Sequence, residues 1–396
     1  MLRILTLSTL FPDASRPNFG VFVEQQTRGI ARRDDLDVRV VAPVGLPPWP
    51  LTLHPHYRAR AHLPRHEQWR GLDVIRPRFL NLPGTGGRFH PRMIAAALAS
   101  KLERLRAEFP FDLIAAEFFY PDGPAAMRLA ERFDVPFSIK ARGSDVHYWA
   151  NNPKTQDMCL AAGRAAGGLL TVSDAMKRDL VTLGLDEARI ERSLTGVDQA
   201  RFHPRDRAAA KAKFGVSGPF VVALGSLTPN KDHSMVIDAV AKLPDVTLWI
   251  VGQGFEQPML EAKIAEHGIG DRVRLTGPVP HADMPELLAA ADAMALASRS
   301  EGLANAWVES LASGTPIVIP DVGGAREVMR EGAGFIVERN ADAFAVGIAA
   351  VLAEPPETES VVAAARPFTW PANAEHLSDF YHRLVAAHRG QRVSHL

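Results

Sequence analysis

Short apolar runs alternate with segments whose apolar positions recur at helical spacing along most of the chain. That alternation predicts strands and helices in turn, as in parallel α/β architecture. Leu2–Leu7 reads as a first strand, and the loop Thr9–Asn18 leads through Gly20 into a helical pattern over Val21–Arg33. Val38–Val44, Val74–Pro77, Leu113–Ala116, Phe137–Lys140 and Gly168–Val172 read as further strands, with a helix at Arg92–Glu108 that stops before Pro110. Thr195–Phe214 is polar and proline-containing, a linker with a short helix, and after it the pattern restarts. Phe220–Leu224, Val246–Val251, Arg272–Thr276, Ala293–Ala297 and Pro316–Ile319 are strand-like. Ser234–Leu243, Met259–His267 and Ala341–Leu352 are helical, and an amphipathic stretch over Asn373–His388 closes the chain. A chain of 396 residues is too long for one ordinary core. The expectation is therefore an α/β protein of two doubly wound domains, 1–200 and 201–372, facing each other across a cleft. Ligands in such sheets bind outside the carboxyl ends of the strands.

Composition alters this picture in few places. Lys+Arg and Asp+Glu both total 45, so no global field points to nucleic acid as a partner. A single cysteine, Cys159, excludes an internal disulfide framework and fits a reducing compartment. No apolar run is long enough to span a bilayer, and the opening MLRILTLSTLFP reads as a buried strand rather than a signal peptide. A cytoplasmic location is the expectation. One local imbalance stands out: arginines at 58, 60, 65, 70, 76, 78, 88 and 92 face only Glu67 and Asp73. Just upstream lies the proline-stiffened, apolar Leu46–Leu53 with Trp49. Read as a mobile loop, tryptophan beside arginine suits peripheral contact with an anionic membrane, here the inner face of the cell membrane. A solvated loop with scattered basic residues is the plainer alternative, and composition does not choose between them.

Chemistry is expected in the loops after the strands. Residues 298–316, SRSEGLANAWVESLASGTP, carry Glu301 and Glu309 eight apart. A loop feeding a helix start offers backbone N–H groups and the positive end of the helix dipole to a phosphate. Glu301 lies in that loop, and Glu309 lies about two turns into the helix, where it could fix a sugar hydroxyl. An isolated pair at this spacing is more often two solvated carboxylates. Lys231 sits in a comparable loop, Gly225-Ser-Leu-Thr-Pro-Asn-Lys231, where a flexible ammonium can neutralise a diphosphate. Gly323-Gly324 adds a third loop with exposed donors, and Asp321 beside it reads as a turn residue.

The segments GSLTPNKDHSMVIDAV, LWIVGQGFEQPMLEAKI, VRLTGPVPHADMPELLAAADAMALAS, EGLANAWVESLASGTPIVIPDVGGAREV and GAGFIV resemble, in order, the motifs of retaining glycosyltransferases of family GT4. STLFPDASRPNFGVFVEQQTRGI, AEFFYPDGPAA, ARGSDVHYW and LTGVDQARFHP support the resemblance in the first half. It implies a GT-B fold of two Rossmann-like domains, the first binding the acceptor and the second a nucleotide diphosphate sugar. The helix over 373–396 would then pack back on the first domain. By the same resemblance Lys231 clamps the diphosphate, Glu309 holds the ribose and Glu301 lies near the transferred sugar. Backbone around Gly225, Ser226, Gly302, Leu303, Ala304, Asn305 and Gly20 would contact phosphate or sugar. The implied reaction moves a hexose-type sugar, with retention, to a glycan or lipid-linked acceptor in cell-envelope or exopolysaccharide biosynthesis, and uses no cofactor.

The chain departs from the family pattern at three positions. Ser226 stands where many relatives have arginine, Arg142 where histidine is frequent before Gly-Ser-Asp, and Glu117 where histidine is common. Arg142 either supplies the cation missing at 226 or pairs structurally with Asp145 or Glu117. No Asp-x-Asp sequence lies near these loops and the histidines do not cluster at metal-ligand spacing, so a metal-independent reaction is expected. Two alternatives are a GT-B sugar-nucleotide epimerase and a non-enzymatic nucleotide-sugar-binding subunit, the latter kept open by the missing arginine.

Overall fold

The computed structural model describes residues 1–394; residues 395 and 396, the end of the expected terminal segment, lie outside the described residues. The chain forms two compact units, Met1–Gly196 with the segment from Trp370 onward, and Val197–Thr369. The strands of the first unit are β1 Leu2–Leu7, β2 Leu36–Val41, β3 Val44–Leu46, β4 His66–Trp69, β5 Leu72–Ile75, β6 Arg78–Leu80, β7 Leu113–Ala116, β8 Phe137–Ala141, β9 Gly168–Thr171 and β10 Ile190–Arg192. Eight of them form one sheet in the order β10-β9-β8-β7-β1-β2-β5-β4, and β3 pairs with β6 as a separate ribbon. All pairs in the large sheet are parallel except β4 with β5. Parallel strands need helical crossovers that cover both faces, so β7, β8 and β9 are buried along their whole length.

The terminal helix Trp370–Ser394 belongs to this first unit. It buries Leu377, Phe380, Tyr381 and Val385 against Leu2, Ile4, Ile30, Leu36, Leu113 and Leu170. Gly168 stands where a side chain would approach the Phe380 ring to 2.8 Å, so the absence of a Cβ lets the helix seat on β9.

The second unit carries β11 Phe220–Leu224, β12 Thr247–Val251, β13 Val273–Gly277, β14 Ala293–Ala295, β15 Ile317–Pro320 and β16 Gly334–Val337. They form a six-stranded sheet, β13-β12-β11-β14-β15-β16, parallel throughout. Its core gathers Val221 and Ala223, Leu248 and Ile250, Val236 and Val240, Phe344 and Ile348. Local signals set the element ends. Asp206 caps the helix Arg207–Phe214 through the Ala209 amide at 3.0 Å, and Gly215 closes it at φ 64°.

The arginine-rich segment differs from expectation: it is not a mobile loop. A helix covers Pro55–Ala61, β4 and β5 form a hairpin, and β6 follows. Arg76, only 1% exposed, is paired with Glu67 and donates to the Pro12 carbonyl at 2.8 Å. β4 and β6 in this segment were not read as strands, because His66–Trp69 alternates exposed and half-buried residues and Arg78–Leu80 buries only Phe79, so neither shows an apolar run.

Candidate active site

Each sheet reverses its strand order once, between β11 and β14 in the second unit. Connections leave to opposite sides there, opening a crevice beyond the strand ends. The loop after β11 carries Lys231 and the loop after β14 carries Glu301, so both predicted loops rise at that switch point.

Four contacts join them. The Arg299 amide donates to the Asn230 carbonyl at 2.7 Å, and Asn230 Nδ2 donates to the Ser300 carbonyl at 3.0 Å. Arg299 reaches Asp232 at 3.2 Å. Lys231 Nζ itself donates to Glu301 Oε1, both side chains lying mostly inside the site at 20% and 12% exposure. The lysine stem runs across Gly225, with methylene carbons 3.2 Å from where a Cβ would stand. Ser226 is exposed, its hydroxyl 3.4 Å from that of Thr228.

Gly302, Leu303 and Ala304 are buried, and Ala304 is the N-cap of the helix Asn305–Ala312 without a capping side chain. No side chain caps its first turn, where the Trp307 amide donates to the Ala304 carbonyl at 3.1 Å. Gly323, at φ 51°, sits so close that a Cβ would stand 2.0 Å from the Glu301 carbonyl oxygen, and the Gly324 amide donates to Gly302 at 2.9 Å. The third predicted loop thus buttresses the glutamate loop from behind. Asp321 pairs with Arg326 at the surface, as a turn residue would.

Two histidines were missed. His281, in the loop after β13, stands 3.6 Å from Glu309 and is held by Arg201, which donates to its carbonyl at 2.9 Å. His233 opens the helix after Lys231 and is fully buried. Burial, with Lys231 beside it, pushes its pKa down to about 4. The Gly225 and Ser226 backbone lies close enough to favour protonation slightly, but neither ring nitrogen has a hydrogen-bond partner of good geometry. Both histidines lie inside the motifs GSLTPNKDHSMVIDAV and VRLTGPVPHADMPELLAAADAMALAS, which is the signal the sequence offers for them. No cluster of three or more His, Cys, Asp or Glu side chains able to hold a metal ion occurs among the described residues.

The remaining site candidates fall in the first unit. Gly20 caps the helix Val21–Ala31 at φ 71°, and a Cβ there would stand 2.4 Å from the Leu10 carbonyl oxygen. Arg142 pairs with Glu117, donates from Nε to the Glu117 carbonyl at 2.8 Å and meets Gln26 at 3.2 Å. The structural pairing, with Glu117 rather than Asp145, is the arrangement present. Asp145 accepts instead from the Phe119, Arg142 and Gly143 amides at 2.7–3.0 Å. Lys140, nearly fully buried, donates to Gln26 at 2.8 Å and Ser193 at 3.0 Å, and burial lowers its pKa well below the usual ammonium range.

Two α/β units built on parallel sheets, each with its own core, define the GT-B fold of glycosyltransferases. The model for Glycosyl transferases group 1 matches residues 204–368, and that for the Glycosyl transferase 4-like domain matches residues 19–192. The chain belongs to this GT4-like family of group 1 glycosyltransferases. It is 30% identical over 333 residues to the D-inositol 3-phosphate glycosyltransferase of Mycolicibacterium gilvum, covering 76% of this chain and 73% of that protein. It is 28% identical to TuaC of Bacillus subtilis, provisionally named a teichuronic acid biosynthesis glycosyltransferase, with 82% of each chain covered. Among solved structures, sucrose-phosphate synthase of Thermosynechococcus elongatus shares the fold at TM-score 0.81 and 20% identity, over 98% of this chain and 100% of that one. HepE of Anabaena, in complex with UDP and glucose, does so at TM-score 0.74 and 20% identity, over 96% and 99%.

Proposed function

We propose that the second unit binds a nucleoside diphosphate sugar and that the enzyme transfers its sugar, with retention and without a metal, to a glycan or lipid-linked acceptor of envelope or exopolysaccharide biosynthesis. Acceptor recognition falls to the first unit. The observation that carries this reading is the junction of the Lys231 and Glu301 loops at the switch point of one sheet. The HepE complex with UDP and glucose supports a donor of this class.

Donor binding exchanges the Glu301 partner of Lys231 for phosphate oxygens. The ammonium and the positive N-terminal end of the helix Asn305–Ala312 then stabilise charge as the diphosphate leaves the anomeric carbon. Glu301, released from the lysine, faces the transferred sugar, while Glu309 with His281 holds the ribose. The acceptor hydroxyl attacks on the leaving-group side, and the departing phosphate oxygen takes its proton, so no protein base is needed. With Ser226 neutral and Arg142 committed to Glu117, Lys231 is the cation this scheme relies on.

A thermal-shift panel of nucleotide sugars tests the donor. A true donor at a hundred times its dissociation constant stabilises the protein by about 2.7 kcal/mol. A panel without any shift overturns the assignment. Proton NMR of the product then reads the anomeric configuration, and transfer surviving EDTA checks the metal-independent step. Ser226 favours one second reading, a binding subunit without catalysis; donor binding with no transfer to any membrane-derived acceptor would support it.

A further inference from the structure

The first unit carries an apolar tip that its own core does not use. Trp49 is 78% exposed, Leu53 64%, Leu51 49% and Leu80 42%. They are neighbours in the fold: Leu80 ends β6 opposite Leu46 of β3, and the chain runs from Leu46 through Trp49 into the short 3-10 turn Leu51–Leu53. The helix Pro55–Ala61, with Arg58 and Arg60, follows at once, and Arg65, Arg78 and Arg88 lie on the flanking segments.

Residues 47–92 contain eight arginines, no lysine and two carboxylates. Both carboxylates are already held, Glu67 by Arg76 and Asp73 by Arg39 and His66, while Arg70 pairs at 3.3 Å with Glu24 from outside the segment. Arg78 donates to the Leu63 and Arg76 carbonyls, which leave its charge in place. Burial lowers the pKa of both Arg60 and Arg78, and neighbouring Arg16 (on Arg60) and Arg65 and Arg76 (on Arg78) add to it, with Asp13 opposing in both cases. Exposed tryptophan and leucine bounded by like-signed arginines fit one surface, an interface with apolar interior and negative headgroups. A second copy of the chain would set two arginine clusters against each other.

We propose that the tip formed by Trp49, Leu51, Leu53 and Leu80, with its arginine border, docks the first unit peripherally on an anionic lipid bilayer. No helix among the described residues is long and apolar enough to cross a membrane, so the contact is at the surface. The proposal is independent of the donor assignment.

Flotation of the full chain with phosphatidylglycerol/phosphatidylcholine vesicles, without donor, is the test. Binding is expected to the mixed vesicles and to fall at high salt and on pure phosphatidylcholine. The triple variant Trp49→Ser, Leu51→Ser, Leu53→Ser should weaken it by more than about tenfold. Arg58→Glu and Arg65→Glu should each weaken it by about fivefold or more. Brominated lipid should quench the tryptophan emission of the native protein, and Trp49→Phe should remove that quenching, a readout that does not depend on how the triple variant folds. Absence of binding to anionic vesicles, or full binding by a folded triple variant, overturns the proposal. So does sedimentation equilibrium showing a native dimer that the triple variant dissolves. Failure here leaves the nucleotide-sugar thermal shift untouched, so the two readings fail separately.

Discussion

Lys231 is worth most where it is least solvated, and its pairing with Glu301 shows the site already holds charge against charge. Substituting Lys231→Ala should lower the transfer rate by about two to three orders of magnitude, comparable to losing one strong oxyanion donor. Single-turnover kinetics check this, and near-native turnover would place the diphosphate clamp elsewhere. Glu309→Ala should chiefly weaken donor affinity; an unchanged calorimetric titration would remove the ribose role. His233 brings a pH dependence. Its folded pKa of about 4 lies below the unfolded value of about 6.5, so between them the unfolded chain binds more protons. Stability contributed by the neutral buried ring is complete above the unfolded pKa and declines as pH falls toward 4, by up to about 3 kcal/mol. Denaturant titrations of native protein and His233→Gln between pH 7 and 4 should converge as pH drops; parallel curves would show that the imidazole does not set the slope.

At the scale of elements, most of the strands in both sheets could be read from apolar runs, because parallel strands covered on both faces tolerate little else. Phe220–Leu224 and Leu113–Ala116 are examples, buried at every position. Strand β4 was illegible for the opposite reason: His66–Trp69 alternates exposed and half-buried residues at a sheet edge. The terminal helix shows how an element depends on what it meets. Phe380→Ala would leave a hole over Gly168 and should cost about 3–5 kcal/mol, measured by chemical denaturation. A cost below 1 kcal/mol would mean the helix is not seated on β9.

At the scale of the molecule, each unit has its own core, so ligand effects should be local. Hydrogen exchange with a nucleotide sugar present should protect the loops 225–231 and 298–306 while leaving β1, β7 and β8 at their unliganded rates. Protection confined to the first unit would overturn the donor assignment. The departure at Arg142 was open at the sequence level, since a guanidinium has several carboxylates to choose from. Packing selected Glu117, which is 1% exposed and without water to solvate its charge.

Residue order alone was enough for two doubly wound units and for the loops that matter, because strand periodicity and glycine-rich loop chemistry are local properties. It left undetermined which loops touch, how Lys231 is paired, and that His233 stands beside it and His281 beside Glu309. Those depend on contacts between residues distant along the chain, made when the sheet brings β11 beside β14 and buries charges that sequence shows only as polar.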